Sequence, residues 1–441
     1  MEIITGSGDD IVIRPVLVNG LVVRSNDTIR TNAGNDTINP GLGREYVYGG
    51  DGIDHLILDY SFGDTGTGMI FNSSSASRNV SSTNITRLDS ILFFSIERFT
   101  VTGTSKDDIF TLYTTNSVIR AGAGNDKVTV APQAIAGNVG TLDGGAGLDY
   151  LQLNLSNQTA NLNFTNLLNI NVSGVISATN FEQFDLTTGS GNDTVIQAGI
   201  VNGALLRAND TIKTGAGNDT INAGLGSDTV FGGDGIDHLI VNYSVGDTGT
   251  GMTFNGSSLY GTASRNISST NSAFLDRIEF TGIDRFTVIG TTKNDVITGA
   301  AGNDVINAGA GNDTITGRAG GDILTGGIGV NTFKYQSLTD SLLSNYDVIK
   351  DLVIGLDVID GPRAVAASQI KKLGSVTALT ETAIKQVLTS TNFAANGAST
   401  FRFDNRTFLG LNNGAAGFSA STDSIIEITG FGGILNDLVI V

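Results

Sequence analysis

The sequence predicts an all-β fold, a parallel β-solenoid closed by a small C-terminal domain. Three observations carry this. A nine-residue unit recurs with Gly, Gly and Asp at fixed offsets, and a large apolar residue follows each repeated Asp by two positions. The 441 residues include 59 glycines but only four prolines. Glycine at about twice its usual share, with so little proline, suits tight turns at fixed positions rather than collagen or a proline-rich linker. Self-similarity at a short fixed period marks a repeat architecture.

The unit is clearest at TGAGNDTIN (214–222), AGLGSDTVF (223–231) and GGDGIDHLI (232–240), which set Asp219, Asp228 and Asp237 nine apart, with Asp210 one unit before them. A second run starts at Gly290 and places Asp295, Asp304, Asp313 and Asp322 in register, fading at Asn331. The N-terminal run gives Asp27, Asp36, Glu45 and Asp54, and isolated copies surround Asp10, Asp108, Asp126, Asp149 and Asp193. In the unit G-G-x-G-x-D-x-U-x, the x-U-x triplet predicts a short strand with U turned inward, because side chains alternate. The glycines predict turns with positive φ. Two units form an 18-residue coil, so turns on one side stack at about 4.8 Å. Aspartates 18 apart then face one gap: Asp36/Asp54, Asp108/Asp126, Asp210/Asp228, Asp219/Asp237, Asp295/Asp313 and Asp304/Asp322.

Charge explains what fills those gaps. Against 25 Lys and Arg stand 43 Asp and Glu, a net charge of −18, although only 15% of residues are charged. The acids are mostly unmatched, which argues against nucleic acid and anionic lipid as partners. With no cysteine there is neither a disulfide framework nor a thiolate zinc site. Stacked acids repel until a hard dication with roughly 6–8 oxygen ligands joins them; calcium suits such a cage better than magnesium, which holds its waters. About nine calcium ions would offset the net charge. The predicted ligands are Asp10, Asp27, Asp36, Asp54, Asp108, Asp126, Asp149, Asp193, Asp210, Asp219, Asp228, Asp237, Asp295, Asp304, Asp313 and Asp322.

On this motif the chain resembles the hemolysin-type calcium-binding family, the RTX repeat proteins, over most of residues 5–60, 102–152, 188–241 and 290–334. The resemblance implies a right-handed parallel β-roll that binds several Ca2+ ions and is exported.

A longer period overlies the nine. Residues 6–71 match 189–254 at an offset of 183; after an insertion the offset is 187, so that Arg78-Asn79 returns as Arg265-Asn266 and Asp89 as Asp276. A middle unit is a more distant copy. Stretches poor in the motif (about 58–101, 153–187 and 241–289) close alike, on Ile96-Glu97-Arg98-Phe99, Phe181-Glu182-Gln183-Phe184 and Ile283-Asp284-Arg285-Phe286. They are expected to be solenoid coils with wider loops, whose Ser, Thr and Asn-rich segments 72–84 and 255–271 are solvated or form a contact surface. The chain thus divides into solenoid units 1–104, 105–188 and 189–289, a plain nonapeptide roll 290–334, and a capping and secretion domain 335–441. In that last domain, 378–388 carries a helix-like apolar stripe and 400–441 reads as strands. About the last 40 residues resemble the bluetail domain of cyanobacterial secreted proteins, and Asp437 before Leu-Val-Ile-Val resembles the ending of type I secretion substrates.

No apolar run approaches the roughly 20 residues of a membrane span, and the N-terminus lacks a signal peptide's basic and apolar segments. Only His55 and His238 titrate near neutrality unaided, and neither a G-x-S-x-G elbow nor HExxH occurs, so no catalytic residue is expected. The expected function is that of a secreted, calcium-binding structural protein of the cell surface or extracellular matrix. The alternative is an adhesin or glycan-binding surface; an enzyme site in the solenoid loops ranks last. Repeats beginning near Gly6 would leave an open edge that stacks on a second copy, is covered by upstream sequence, or frays. Head-to-tail stacking would give a filament.

Overall fold

A computed structural model describes the chain except residues 63–65, 80–87, 132–137, 198, 202, 247–248 and 267–274. Parts of both Ser/Thr/Asn-rich loops therefore lie outside the described residues. Two compact units emerge: Met1–Ala198 with Ala208–Lys213, and Gly199–Arg207 with Thr214–Val441.

In the first unit the x-U-x triplets form three-residue strands such as Thr28–Arg30 and Thr37–Asn39, with Ile29 and Ile38 fully buried. Each pairs in parallel with the strand 18 residues on, Thr28 opposite Tyr46 and Thr37 opposite His55. Alternate nonapeptides feed two sheets. The apolar residues between them, including Ile29, Ile38, Val47 and Leu56, are the core. Burying such side chains contributes about 1.5–3 kcal/mol each.

The motif-poor stretches depart from the expected wide loops. His55–Asp59 pairs in parallel with Arg98–Thr102, a step of 43 residues. Between them Met69–Asn72, Ser75–Asn79 and Leu88–Phe94 form an antiparallel meander. The two outer strands of the meander remain parallel to solenoid strands, Leu88–Phe94 to Leu42–Tyr48 and Met69–Asn72 to Ile109–Leu112. One reversed strand is thus inserted into an otherwise parallel sheet. The insert brings phenylalanines together in the core: Phe71 and Phe93 each lie 5.2 Å from Phe99. The middle stretch carries a smaller reversal, Asn169–Val172 antiparallel to Ile176–Thr179.

The second unit repeats the pattern. Met252–Asn255, Gly261–Asn266 and Leu275–Thr281 form the meander, with Phe254 and Phe280 packed on Phe286. The plain roll then stacks Val296–Thr298, Thr314–Thr316 and Thr332–Lys334 on one side, and Val305–Asn307 and Ile323–Thr325 on the other. The C-terminal segment extends both sheets. Val358–Asp360 pairs with Thr332–Lys334, and Asp347–Ile349 pairs with Ile323–Thr325 and then with Ser424–Glu427. Antiparallel strands Arg406–Leu411 and Ala398–Phe403 follow, and Lys371–Ser375 joins last, in parallel, so the roll's strand Asp347–Ile349 is paired rather than left as a template. The helix-like stripe yields one short helix, Glu381–Lys385, capped by the Thr380 side chain. The final apolar run is not a strand. Leu438 and Ile440 are buried, and Ile440 makes only single bridges to Ile359 and Val365.

Candidate metal centre

The sixth residue of the unit turns its carboxylate into the corner, not to solvent: of the expected ligands all but Asp10 are buried, Asp54 and Asp237 fully. One oxygen accepts the backbone N–H of the equivalent residue one coil earlier. Asp36 N–H donates to Asp54 at 2.9 Å, Asp108 to Asp126 at 2.7 Å, Asp219 to Asp237 at 2.9 Å, Asp295 to Asp313 at 2.8 Å and Asp304 to Asp322 at 2.9 Å. Five expected pairs are therefore stacked as the period requires. Asp10 N–H joins the file at Asp36. Asp193 accepts from Leu162 N–H, and Asp210, in the first unit, from Phe184 N–H; Asp228, in the second, is buried.

The file also crosses the inserts, through acids the repeat does not contain. Asp54 N–H donates to Glu97, Asp149 N–H to Glu182, Asp237 N–H to Asp284, Asp322 N–H to Asp347 and Asn331 N–H to Asp357. Glu97, Glu182 and Asp284 are the acids of the three recurring closing motifs. That recurrence was the signal for them. A second file, at the exposed residue before the Asp, runs the other way: Ile53 N–H donates to Asn35 and Ile236 N–H to Asn218, both at 2.9 Å. Each coil is thereby clamped to the next in both directions.

The second oxygen distinguishes the corners. In Asp36, Asp54, Asp126, Asp149, Asp237, Asp313, Asp322 and Asp347, Oδ2 is buried without a hydrogen-bond partner. Burial raises Asp54, Asp126, Asp149, Asp237, Asp313, Asp322 and Asp347, and neighbouring carboxylates add to it. Asp126, beside Asp108 and Asp149, moves to about 7, Asp237 to about 6 and Asp322 to about 8. Buried charge without a counter-charge is unfavourable, and a cation would reverse the shift. Backbone oxygens lie close by. Gly235 has φ +131°, and a Cβ there would meet the Gly217 carbonyl oxygen at 1.8 Å. Only glycine lets one turn lie directly on the carbonyls of the turn before. Among the described residues no three acidic or histidine side chains converge to hold a metal. An all-oxygen set of carboxylates and carbonyls fits calcium.

Other corners are closed by the chain's own donors. Asp108 accepts from Thr104 N–H and Oγ1 and from Met69 N–H. Asp295 does the same with Thr291 and Met252. Both oxygens of Asp304 accept backbone N–H groups, from Phe286 and Ala300. Asp27 is held by the Arg14 guanidinium and the Met1 amine.

The two histidines sit on the outer sheet faces, Nε2 of His55 2.9 Å from Thr100 Oγ1 and Nε2 of His238 2.9 Å from Thr287 Oγ1. Burial, with Arg98 and Arg285 nearby, lowers both pKa values.

The RTX calcium-binding nonapeptide repeat, as a family profile four copies long, matches residues 24–56, 102–130, 207–239, 287–315 and 299–333. A comparison with curated proteins finds no match. No described helix is long and apolar enough to cross a membrane. With acids stacked at the repeat's own spacing, the chain carries RTX calcium-binding nonapeptide repeats, which bind calcium ions at multiple sites.

Proposed function

We propose that this is a secreted calcium-binding structural protein of the cell surface or extracellular matrix, without catalytic activity, whose fold is completed by calcium after export. The observation that carries the reading is the file of buried Asp Oδ2 atoms without donors. At low calcium these corners resist closure. At millimolar calcium, binding free energy becomes folding free energy. Localisation tests this: the protein should accumulate in the external medium or on the cell surface, and calcium should raise its far-UV β signal cooperatively. Retention in the cytosol as a folded, calcium-indifferent protein would refute it.

A glycan-binding or adhesin role has one specific observation in its favour. Tyr46 and Phe94 are about half exposed on one sheet face, and Phe94 stacks on Tyr48 at 4.9 Å. The second copy carries Thr229 and Thr281 at the places of Tyr46 and Phe94. A glycan-array signal lost in Tyr46→Ala/Phe94→Ala, with calcium binding intact, would establish that role. No signal with the unaltered protein would remove it.

A further inference from the structure

The internal duplication lets one corner be compared with its own copy. At the offset of 183, Arg14, Asp27 and Glu45 correspond to Gln197, Asp210 and Asp228. Two of the three positions have changed, and they changed together in charge and in length. Where the first copy has a cationic side chain and a long acid, the second has a neutral side chain and a short acid.

In the first copy Arg14 Nη2 lies 2.9 Å from Asp27 Oδ2. Asp27 carries a second cation, the Met1 amine 2.9 Å from Oδ1, and is otherwise built like the other corner acids. It is buried, and its N–H donates to the next acid of the file, Glu45 Oε2, at 2.6 Å. Ser25 Oγ donates to the other Glu45 oxygen at 3.2 Å. Glu45 is the only glutamate at the Asp position of the nonapeptides. Its extra methylene lets one side chain bridge from the later coil to Ser25 and Asp27 together. Asp27 Oδ2 accepts no hydrogen bond, like the corner oxygens elsewhere, but here a guanidinium stands 2.9 Å from it, and the second Glu45 oxygen has the Ser25 hydroxyl. In the matching place of the second copy, Gln197 is buried and its Oε1 has no hydrogen-bond partner.

We propose that Arg14 is a built-in counter-ion: its guanidinium closes the Asp27–Glu45 corner in place of calcium, and this corner takes no metal. The inference rests on the reading of the other corners as calcium sites. A fixed monovalent cation 2.9 Å from Asp27 Oδ2 repels a dication at contact distance. The corner next to the first coil is thus cohesive at any calcium concentration. In the duplicate the residue at this position, Gln197, carries no charge.

The test counts calcium per chain by native mass spectrometry on the full-length protein at saturating calcium, with circular dichroism to confirm folding. Arg14→Gln/Glu45→Asp rewrites the first corner as the second and is expected to bind one more ion than wild type. Arg14→Gln alone, which keeps the Glu45 bridge, is likewise expected to bind one more ion than wild type. This second variant keeps the test decisive if the first does not fold. An unchanged count in the folded variants, with wild type binding several ions, overturns the role of Arg14 alone. A wild-type protein that binds none overturns the calcium reading itself, and this inference with it.

Discussion

The backbone N–H of Asp304 donates to the carboxylate of Asp322, one coil further along, at 2.9 Å. This bond defines the corner. It orients one carboxylate oxygen without help from metal, and it leaves the charge to be neutralised by something else. Register and charge are therefore separable, and variants can address them one at a time.

Asp126→Asn keeps an acceptor for the Asp108 N–H but removes the charge. At pH 8 in chelator it is expected to be more stable than wild type by about 1–3 kcal/mol, because a buried oxygen loses its unmet demand. In calcium the order should invert, by about 3 kcal/mol when calcium is ~100-fold above Kd. Paired urea titrations give both signs. A variant destabilised equally in both conditions would assign Asp126 to packing alone.

Protons should substitute for calcium. Burial and adjacent acids raise Asp126 to about 7 and Asp322 to about 8, above their ordinary value of 3.8. Acids raised in the folded state stabilise it fully below their unfolded value, and this contribution is lost as pH rises through the folded one. The metal-free fold should therefore gain stability as pH falls from about 8 towards 5, while calcium affinity falls and each binding event releases protons. Melting curves in chelator across that range, with calorimetry in buffers of different ionisation enthalpy, check the two halves.

Turn glycines should be intolerant where turns stack. Gly235→Ala places a Cβ 1.8 Å from the Gly217 carbonyl oxygen at φ +131° and is expected to cost about 3 kcal/mol or more. Gly174, at φ +74° with no atom within 4 Å of a Cβ, should cost only about 1 kcal/mol as alanine. Equal effects in denaturation would remove stacking as the reason for glycine.

The meanders are expected to be fastened by ion pairs independent of calcium. Asp89 is fully buried and bonded by both Arg24 and Arg78; Asp276 is bonded likewise by Arg207 and Arg265. Removing one member strands a buried charge, so Asp89→Ala and Asp276→Ala should each cost about 3–5 kcal/mol, with chelator making no difference to the loss.

The coil pitch and the inward apolar residues were legible because glycine and aspartate at fixed phase answer backbone needs that other residues cannot meet. Five of the six expected Asp pairs are seen stacked. The inserts were harder. Ser75–Asn79 reads as polar loop, yet Ala76 and Arg78 point inward and are buried. An arginine facing the core becomes intelligible only when Asp89, eleven residues on, is found against it. Thr104 and Thr291 occupy a glycine position of the repeat and look like drift, whereas their hydroxyls close the Asp108 and Asp295 corners. Spacing locates an acid; whether its oxygens are already taken depends on neighbours distant in sequence.

Crystals grown with calcium, imaged by anomalous scattering, test the central claim most directly. The account predicts ions within about 2.3–2.6 Å of the Oδ2 atoms of Asp54, Asp126, Asp237, Asp313 and Asp322, and none at Asp27. A folded protein at saturating calcium with those five oxygens bare would contradict it.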